Sequence, residues 1–176
     1  MISYQKQLEI RYHTEICVVG GGPAGIAAAV TAARQGRQVF LVESQGFFGG
    51  AATAALVPAF MPFTNGVDFL AGGIGREIYD LCVTEPDALC GRTLGIQPER
   101  IKRVYDDMVI EAGVKYLFFA SMVDVLVHNG RVEGIVVAAK SGMYAVTADV
   151  FIDATGDGDL CAWAGAPFAL GDGSGA

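Results

Sequence analysis

Residues 20–25 read GGGPAG and decide the fold of this chain. They follow a short apolar run that is typical of a buried strand. Gly20, Gly22 and Gly25 match the pattern G-x-G-x-x-G, whose glycines permit a tight turn, a close approach of pyrophosphate to the backbone, and close packing of the next helix. Pro23 suits the first turn of that helix. The sequence therefore predicts a strand, a glycine-rich turn and a helix in succession.

The predicted helix leads into a second strand. An alanine-rich stretch extends to a stop at Gly36, and residues 38–43 then read QVFLVE. Together these elements form a βαβ unit with parallel strands and a right-handed crossover. Glu43 ends the second strand, where a carboxylate binds the ribose hydroxyls of a dinucleotide and disfavours the 2′-phosphate of NADP. This context favours a dinucleotide site over a turn without a ligand, and ribose binding over a merely solvated carboxylate.

The rest of the chain alternates between helix and strand signals around an irregular insert. We predict a loop over residues 44–65, a helix over 73–83, an irregular stretch over 85–97, a helix over 98–112 and a strand over 114–118. An Asn-Gly turn predicts a hairpin of residues 123–128 and 132–139, followed by strands over 143–148 and 150–153 and a short helix to Ala164. We expect a single domain over residues 1–176, with a nucleotide-binding core at 14–58 and 98–170. The insert at 59–97 could form part of a substrate region.

Composition and charge bound the possible partners. The chain has 176 residues, is 52% hydrophobic and carries a net charge of −7. This is enough apolar material for one well-packed domain, and the acidity disfavours nucleic acid. Residues 1–15 lack the apolar core of a secretory signal, and no unbroken apolar run reaches the roughly 18 residues of a membrane span. We therefore expect no nucleic-acid or membrane partner and, by default, a cytoplasmic location.

Residue types that often carry catalysis or bind metals give no clear signal. The four cysteines are Cys17, Cys82, Cys90 and Cys161. They lack C-x-x-C, zinc and iron–sulfur spacing, so we expect reduced core thiols. His13 and His128 flank predicted strands and are expected at the surface. Asp153, Asp157 and Asp159 do not have EF-hand spacing. We name no catalytic side chain and no metal site.

Two further glycine segments accompany the first, at residues 49–53 (GGAAT) and 152–157 (IDATGD). Together the three segments and Glu43 resemble the two-dinucleotide-binding-domain flavoproteins, the glutathione-reductase-like class. The run over residues 152–166 is most similar to the FAD-dependent oxidoreductase family that includes heterodisulfide-reductase-A-like proteins. The resemblance spans about residues 14–170. It implies FAD and an α/β, Rossmann-like FAD/NAD(P)-binding domain in three ββα layers, with a parallel sheet between helices and an antiparallel β-meander.

The resemblance implies roles for the residues at the adenosine and pyrophosphate end. The residues that would bind pyrophosphate are Gly20, Gly22, Pro23, Ala24 and Gly25. Glu43 would bind the adenosine ribose, with help from Ser44. Val123, at the start of the meander, would present its backbone to the adenine.

Other matching positions are assigned to the flavin side. The residues that would approach the flavin are Gly49, Gly50 and Thr53. Gly156 would allow close approach where the last strand ends, at the edge of the sheet where α/β folds bind ligands. Asp157 would lie beside the ribityl chain or the pyrophosphate. It could also act as the N-cap of the next helix, and the two roles are compatible.

The chain departs from parts of the family pattern. It lacks the cysteine set of relatives with an iron–sulfur cluster, and GFFGGAA stands where the disulfide reductases have C-x₄-C. A redox disulfide between Cys82 and Cys90 is conceivable but has no support. Full members continue with a substrate domain, so the resemblance implies an N-terminal fragment whose substrate domain lies outside this chain.

The sequence thus predicts the FAD-binding portion of an oxidoreductase. Its bound flavin would pass a hydride or electrons to an unidentified small substrate, with NAD(P)H or another compound as electron donor. One alternative is an NAD-binding dehydrogenase domain, which does not explain residues 49–50 or 154–157. The other is a truncated nucleotide-binding module without turnover.

Overall fold

The computed structural model describes residues 2–57, 59–60, 65, 67–82, 94–95 and 97–171. Within them the strands are β1 (Ile10–Val19), β2 (Val39–Val42), β3 (Ala59–Phe60), β4 (Leu94–Gly95), β5 (Lys115–Leu117), β6 (Ala120–His128), β7 (Arg131–Ala139) and β8 (Gly142–Asp153). The helices are α1 (Pro23–Arg34), α2 (Gly73–Cys82), α3 (Pro98–Glu111) and α4 (Asp159–Trp163), with a 3₁₀ turn at Gly50–Ala52.

Six of these strands form one sheet in the order β5-β2-β1-β8-β7-β6, and β3 and β4 form a separate pair. β1 pairs in parallel with β2 and β8, and β2 pairs in parallel with β5. β6, β7 and β8 form the antiparallel meander. β8 belongs to both parts, since residues 142–147 pair with β7 and residues 145–153 pair with β1. The carboxyl ends of β1, β2 and β8 therefore lie side by side, where α/β sheets bind ligands.

The helices cover one face of the parallel strands. Strand alternation places Val18 and Leu41 on this face, where they form one buried cluster with Ile26 of α1 and Tyr105 of α3. Each fully buried aliphatic side chain of this kind contributes about 1.5–3 kcal/mol to stability. This cluster fixes α1 against the sheet and so sets the position of the helix N-terminus.

The meander covers the opposite face. Cys17 and Phe40 of the parallel strands form a second buried cluster with Ile135, Tyr144 and Val146 of β7 and β8. The parallel strands thus lie between a helix layer and a meander layer. The predicted three-layer ββα arrangement of an α/β, Rossmann-like domain is confirmed.

Some predicted element bounds were wrong. β1 begins at Ile10, earlier than the apolar pattern indicated, because its polar first half pairs with β8. The strands predicted over 143–148 and 150–153 are the single strand β8, since its pairing with β1 continues through both. β6 begins at Ala120, before the predicted start at Val123. The loop predicted over 44–65 contains the 3₁₀ turn and β3.

His13 and His128 are exposed, as expected. Most of the irregular stretch predicted over 85–97 lies outside the described residues, as does Cys90. Within the part of the chain that the structure describes, no helix is long and apolar enough to cross a membrane.

Candidate functional site

A cleft of about 700 Å³ opens at the carboxyl ends of β1, β2 and β8. This volume lies in the range of small-molecule and cofactor sites. The lining residues come from five stretches of the chain, within residues 19–24, 42–45, 50–54, 120–122 and 153–161. The three glycine segments, which are distant in sequence, therefore meet at one site.

Gly20 and Gly25 are required by packing at the base of this cleft. Gly20 has a φ of +103°, and a Cβ there would overlap the carbonyl oxygen of Ala154 at the end of β8. A Cβ on Gly25 would overlap the carbonyl oxygen of Gly20. These two glycines therefore let α1, the end of β1 and the segment after β8 come together. Gly20 also lines the cleft, whereas Gly25 is buried behind it.

Gly22 leaves open space in front of α1. It is the N-cap residue of α1, with a φ of −71°, and no side chain caps the helix. A Cβ on Gly22 would lie 3.9 Å from its nearest neighbour, the Cα of Gly50. Pro23 and Ala24 line the cleft beside it. Because the first N–H groups of a helix lack intrahelical partners and carry partial positive charge, this end of α1 can hold pyrophosphate.

Glu43 is a buried carboxylate, only 6% exposed, at the end of β2. Its Oε2 accepts the backbone N–H of Gly21 at 2.6 Å, and its Oε1 accepts the N–H of Gln45 at 2.6 Å and the hydroxyl of Ser44 at 3.1 Å. A carboxylate oxygen can accept more than one hydrogen bond. Glu43 is therefore held in place with capacity left for ribose hydroxyls in the cleft, which both Glu43 and Ser44 line.

Gly21 joins all the parts of this end of the site, although the pattern reading left it out. Its N–H donates to Glu43, and its carbonyl accepts the N–H of Gly49 at 2.8 Å. A Cβ on Gly21 would lie 2.6 Å from a ring carbon of Phe48 and 2.9 Å from Glu43 Oε2. The signal in the sequence was the glycine in the middle of three consecutive ones, at a position that G-x-G-x-x-G leaves free.

The second glycine segment forms a turn around Thr53. Thr53 is buried, and its hydroxyl donates to the carbonyl of Phe48 at 2.9 Å. Gly49 has a φ of +117°, and a Cβ there would overlap the Thr53 side chain. Gly50 lines the cleft, and its Cβ would lie 3.1 Å from the Cα of Gly22. Gly50 therefore faces the N-terminus of α1, while Gly49 and Thr53 shape the turn behind it.

Val123 lies farther along β6 than the residues that line the cleft. The lining residues of this strand are Ala120, Ser121 and Met122. The pairing of β6 with β7 shifts register between Met122 and Asp124, which leaves Val123 at the irregularity. The sequence pattern missed Ala120, Ser121 and Met122 because the predicted strand began at Val123.

Asp153 holds the segment that follows β8. Its Oδ1 accepts the N–H of Thr155 at 3.0 Å and the Thr155 hydroxyl at 2.7 Å, and its Oδ2 accepts the N–H of Cys161 at 2.9 Å. Partial burial raises the pKa of Asp153, but hydrogen bonds from Cys161 and Thr155 outweigh burial and keep this pKa below its ordinary value. In the sequence, Asp153 stands out only as one of three nearby aspartates that lack EF-hand spacing.

Gly156 and Asp157 follow in the same turn. Gly156 lines the cleft with a φ of +98°, whereas Asp157 is exposed and is not among the lining residues. The N-cap of α4 is Gly158, and the Thr155 hydroxyl accepts the N–H of Asp159 at 3.0 Å. The interpretation of Asp157 as an N-cap is therefore wrong, because the left-handed Gly158 stands between it and the helix.

The described cysteines differ in their surroundings. Cys17 is a buried core thiol, as predicted, and burial raises its pKa to about 12. Cys161 is exposed and lines the cleft, so the expectation of a core thiol was wrong there. A hydrogen bond to Asp153 raises the pKa of Cys161. Among the described residues, no group of three or more His, Cys, Asp or Glu could hold a metal ion.

This geometry defines a dinucleotide-binding α/β domain with a cleft at the ends of its parallel strands. The chain belongs to the FAD dependent oxidoreductase family, whose model matches residues 15–176. FAD is the cofactor that this family indicates. The chain is 28% identical to the thiamine thiazole synthase of Aeropyrum pernix over 134 residues, which are 76% of this chain and 47% of that protein. It is 57% identical to the dihydrolipoyl dehydrogenase of Bacillus subtilis over 35 residues, 20% of this chain and 7% of that enzyme.

Solved structures share the fold. A geranylgeranyl bacteriochlorophyll reductase-like protein from Thermoplasma acidophilum superposes with a TM-score of 0.66 at 19% identity, over 88% of this chain and 42% of that one. The L-proline dehydrogenase from P. horikoshii superposes with a TM-score of 0.63 at 13% identity, over 91% of this chain and 58% of that one. This chain spans less than half the length of the two curated relatives named above.

The cleft fits FAD on grounds of its own chemistry. The helix N-terminus beside Gly22 is open and has no side-chain cap, as a pyrophosphate requires. Glu43 offers a fixed carboxylate to a ribose at the end of β2. The turn at Gly50 and the segment at Gly156 line the same cleft as the N-terminus of α1.

Proposed function

We propose that this chain binds FAD in the cleft, and that the protein transfers a hydride or electrons through the flavin to a small substrate. The observation that carries this proposal is the convergence of three glycine segments on one cleft. A site for NAD alone would use the first segment and Glu43. It would leave unexplained why the turn at residues 49–53 and the segment after β8 both face the same space.

Each segment has a defined task in this proposal. The N-terminus of α1, with Gly20, Gly22 and Ala24, orients the pyrophosphate through backbone N–H groups. Glu43 accepts hydrogen bonds from the ribose hydroxyls, while Gly21 and Gln45 keep its carboxylate in place. A negative charge fixed at this position also repels a 2′-phosphate.

The adenine end and the flavin end lie on opposite sides of the pyrophosphate. We assign the adenine to the backbone of residues 120–122 at the start of β6, one to three residues before the predicted Val123. The flavin side falls to the turn of Gly49, Gly50 and Thr53 and to the segment of Gly156. When bound, the flavin supplies the redox chemistry, and the chain's residues orient it and exclude water from one side.

The partners and the location are further parts of the proposal. We propose a small-molecule substrate and NAD(P)H or another compound as electron donor. The net charge of −7 argues against nucleic acid. Free thiols at Cys17, Cys82 and Cys161 support a reducing, cytoplasmic compartment. Anaerobic mixing with NADH and NADPH tests the donor, and cell fractionation tests the compartment; recovery with secreted proteins would contradict the latter.

Titration of the flavin-free protein with FAD, FMN and NAD⁺ tests the proposed function. We expect FAD to bind and to stay with the protein through gel filtration, visible as a flavin absorption spectrum. FMN lacks the ADP half that residues 20–25 and Glu43 recognise, so it should bind at least about tenfold more weakly, a difference of about 1.4 kcal/mol. A folded protein that binds NAD⁺ but retains no FAD would contradict the proposal.

A further inference from the structure

Phe119 stands in an unfavourable conformation beside the cleft. It lies in the turn between β5 and β6 with a φ of +51°, in the left-handed region that aromatic side chains rarely adopt. Its side chain is also 71% exposed, so burial of the ring offsets little of this strain. Strained residues of this kind cluster at functional sites. The position of Phe119 at the edge of the cleft therefore suggests that it has a role in binding.

The turn that contains Phe119 forms backbone hydrogen bonds with the segment just after β2. The N–H of Glu43 donates to the carbonyl of Leu117 at 2.9 Å, and the N–H of Ala120 donates to the carbonyl of Glu43 at 3.1 Å. Between these two bonds, the N–H of Phe119 donates to the carbonyl of Gln45 at 3.0 Å. The left-handed turn at Phe119 thus allows three successive backbone contacts with residues 43–45.

The Phe119 ring adds a side-chain contact to these backbone hydrogen bonds. It covers Gly46 so closely that a Cβ on Gly46 would overlap the end of the ring. The ring therefore restricts the position of the chain at residues 45–46. Gln45 in turn donates its N–H to Glu43 Oε1 at 2.6 Å, so a shift of Gln45 would also move the Glu43 carboxylate.

We propose that Phe119 is a positioning residue for the adenosine end of the FAD site. Its ring holds Gly46, and through Gln45 it fixes the carboxylate of Glu43 where the ribose binds. This inference rests on the proposed function, because the ribose and adenine are those of FAD. Ordering this segment before the ligand arrives lowers the entropy that binding would otherwise cost.

Three variants separate the role of the ring from that of the backbone. Phe119→Asn removes the ring but tolerates the left-handed conformation, so the backbone contacts are kept. Phe119→Tyr keeps the ring. Leu56→Asn is a matched control, because Leu56 has a φ of +55° and is 69% exposed but lies outside the Glu43–Gly46 segment. Isothermal titration with FAD and with ADP, which carries only the adenosine half, gives the affinities, and calorimetry gives the Tm of the ligand-free proteins.

We expect Phe119→Asn to weaken the binding of both FAD and ADP about tenfold. Its ligand-free Tm should equal that of the wild type or exceed it by up to about 4 °C, because strain is relieved. Phe119→Tyr and Leu56→Asn should bind both ligands within about twofold of the wild type. A merely structural residue would instead lose affinity and Tm together.

If Phe119→Asn binds FAD and ADP with the same affinities as the wild type, this inference is overturned, while the proposed function stands. A lower ligand-free Tm in Phe119→Asn, in step with its lost affinity, would overturn it as well. If the wild type binds neither FAD nor ADP, the proposed function fails, and this inference fails with it.

Discussion

At the scale of single residues, the glycines of one loop perform different tasks. At Gly20, the carbonyl of Ala154 occupies the Cβ position, and the φ of +103° is unfavourable for a residue with a side chain. Gly21 is crowded by Phe48 and Glu43. Gly22 has neither restriction, since its φ is −71° and its Cβ position is open. Of these three glycines, therefore, Gly22 is the one that the packing of the fold itself does not require.

We predict opposite effects of alanine at Gly20 and Gly22. Gly20→Ala should lower the free energy of unfolding by about 3 kcal/mol, from backbone strain and overlap together. Gly22→Ala should change it by less than about 1 kcal/mol. The same variant should weaken FAD binding at least about tenfold, because the methyl group takes the space of the pyrophosphate.

Denaturant unfolding and FAD titration of both variants measure these effects. Gly36→Ala is a suitable control, since Gly36 has a φ of +82° but no neighbour within 4 Å of its Cβ position, and it lies away from the cleft. Gly36→Ala should introduce the backbone strain without any overlap, and should therefore lower the free energy of unfolding by about 1 kcal/mol. If Gly22→Ala binds FAD as the wild type does, the pyrophosphate does not lie at the N-terminus of α1.

At the scale of elements, β8 connects the two parts of the sheet and then begins the last segment of the site. Its first half pairs with β7 and its second half with β1. At its end, Asp153 accepts three hydrogen bonds that fix both the turn at Thr155 and the start of α4 at Cys161. One carboxylate thus sets the path of a segment that contributes several lining residues.

We predict that Asp153→Asn lowers the free energy of unfolding at pH 7 by about 1.5–3 kcal/mol, the usual contribution of hydrogen bonds to a charged group. The amide can no longer accept the N–H of Cys161 and the hydrogen bonds of Thr155 together. The folded-state pKa of Asp153 is depressed, so its contribution is present above the unfolded-state pKa of about 4 and is lost as the pH falls through the folded value.

The stability difference between the wild type and Asp153→Asn should therefore shrink below about pH 4. Urea unfolding at several pH values measures this difference. Asp157→Asn serves as a control, because Asp157 is exposed in the same turn, and it should leave the stability nearly unchanged. A difference that stays constant down to acidic pH would show that Asp153 does not act through its charge.

At the scale of the whole molecule, the site is made where distant parts of the chain come together. The cleft joins residues 19–24 with residues 153–161, and the core between sheet and meander holds these ends in register. Cys17 lies within that core, and Cys161 lies at the cleft. The two thiols therefore report on the fold and on the site separately.

We predict that a thiol reagent modifies Cys161 before Cys17 in the folded protein. The thiolate is the reactive form, so the labelling of Cys161 should become faster as the pH increases. The raised pKa of Cys161 should shift this increase to a higher pH than for an ordinary exposed thiol. Bound FAD should slow the labelling of Cys161, because it occupies the cleft. Cys17 should react only after global unfolding, since it is fully buried and its pKa is about 12.

Mass spectrometry of peptides assigns each label to its cysteine. Cys161→Ser should remove the modification that FAD slows and leave the slow labelling of Cys17 unchanged. Labelling of Cys161 at the same rate with and without saturating FAD would place the cofactor elsewhere. Rapid labelling of Cys17 in the folded protein would contradict the packing of the meander on the sheet.

The sequence by itself predicted the βαβ unit and the hairpin, and its resemblance to a flavoprotein family implied the three layers. It also singled out Gly20, Gly22 and Glu43, which line the cleft. It could do so because a strand, a glycine turn and a helix are encoded by residues close together, with Gly20, Gly22 and Glu43 at fixed offsets. The tertiary structure decided what depends on distant partners. Residues 10–15 form a strand only because β8 offers an edge to pair with.

The same physical reason explains the residues that the pattern missed. Gly21 matters because Phe48 and Glu43 leave no space for a side chain there. Phe119 matters because its turn and its ring contact residues 43–46. Asp153 matters because α4 folds back onto its carboxylate. A periodic pattern records which residues avoid water along one element. It does not record contacts between segments that only the folded chain brings together.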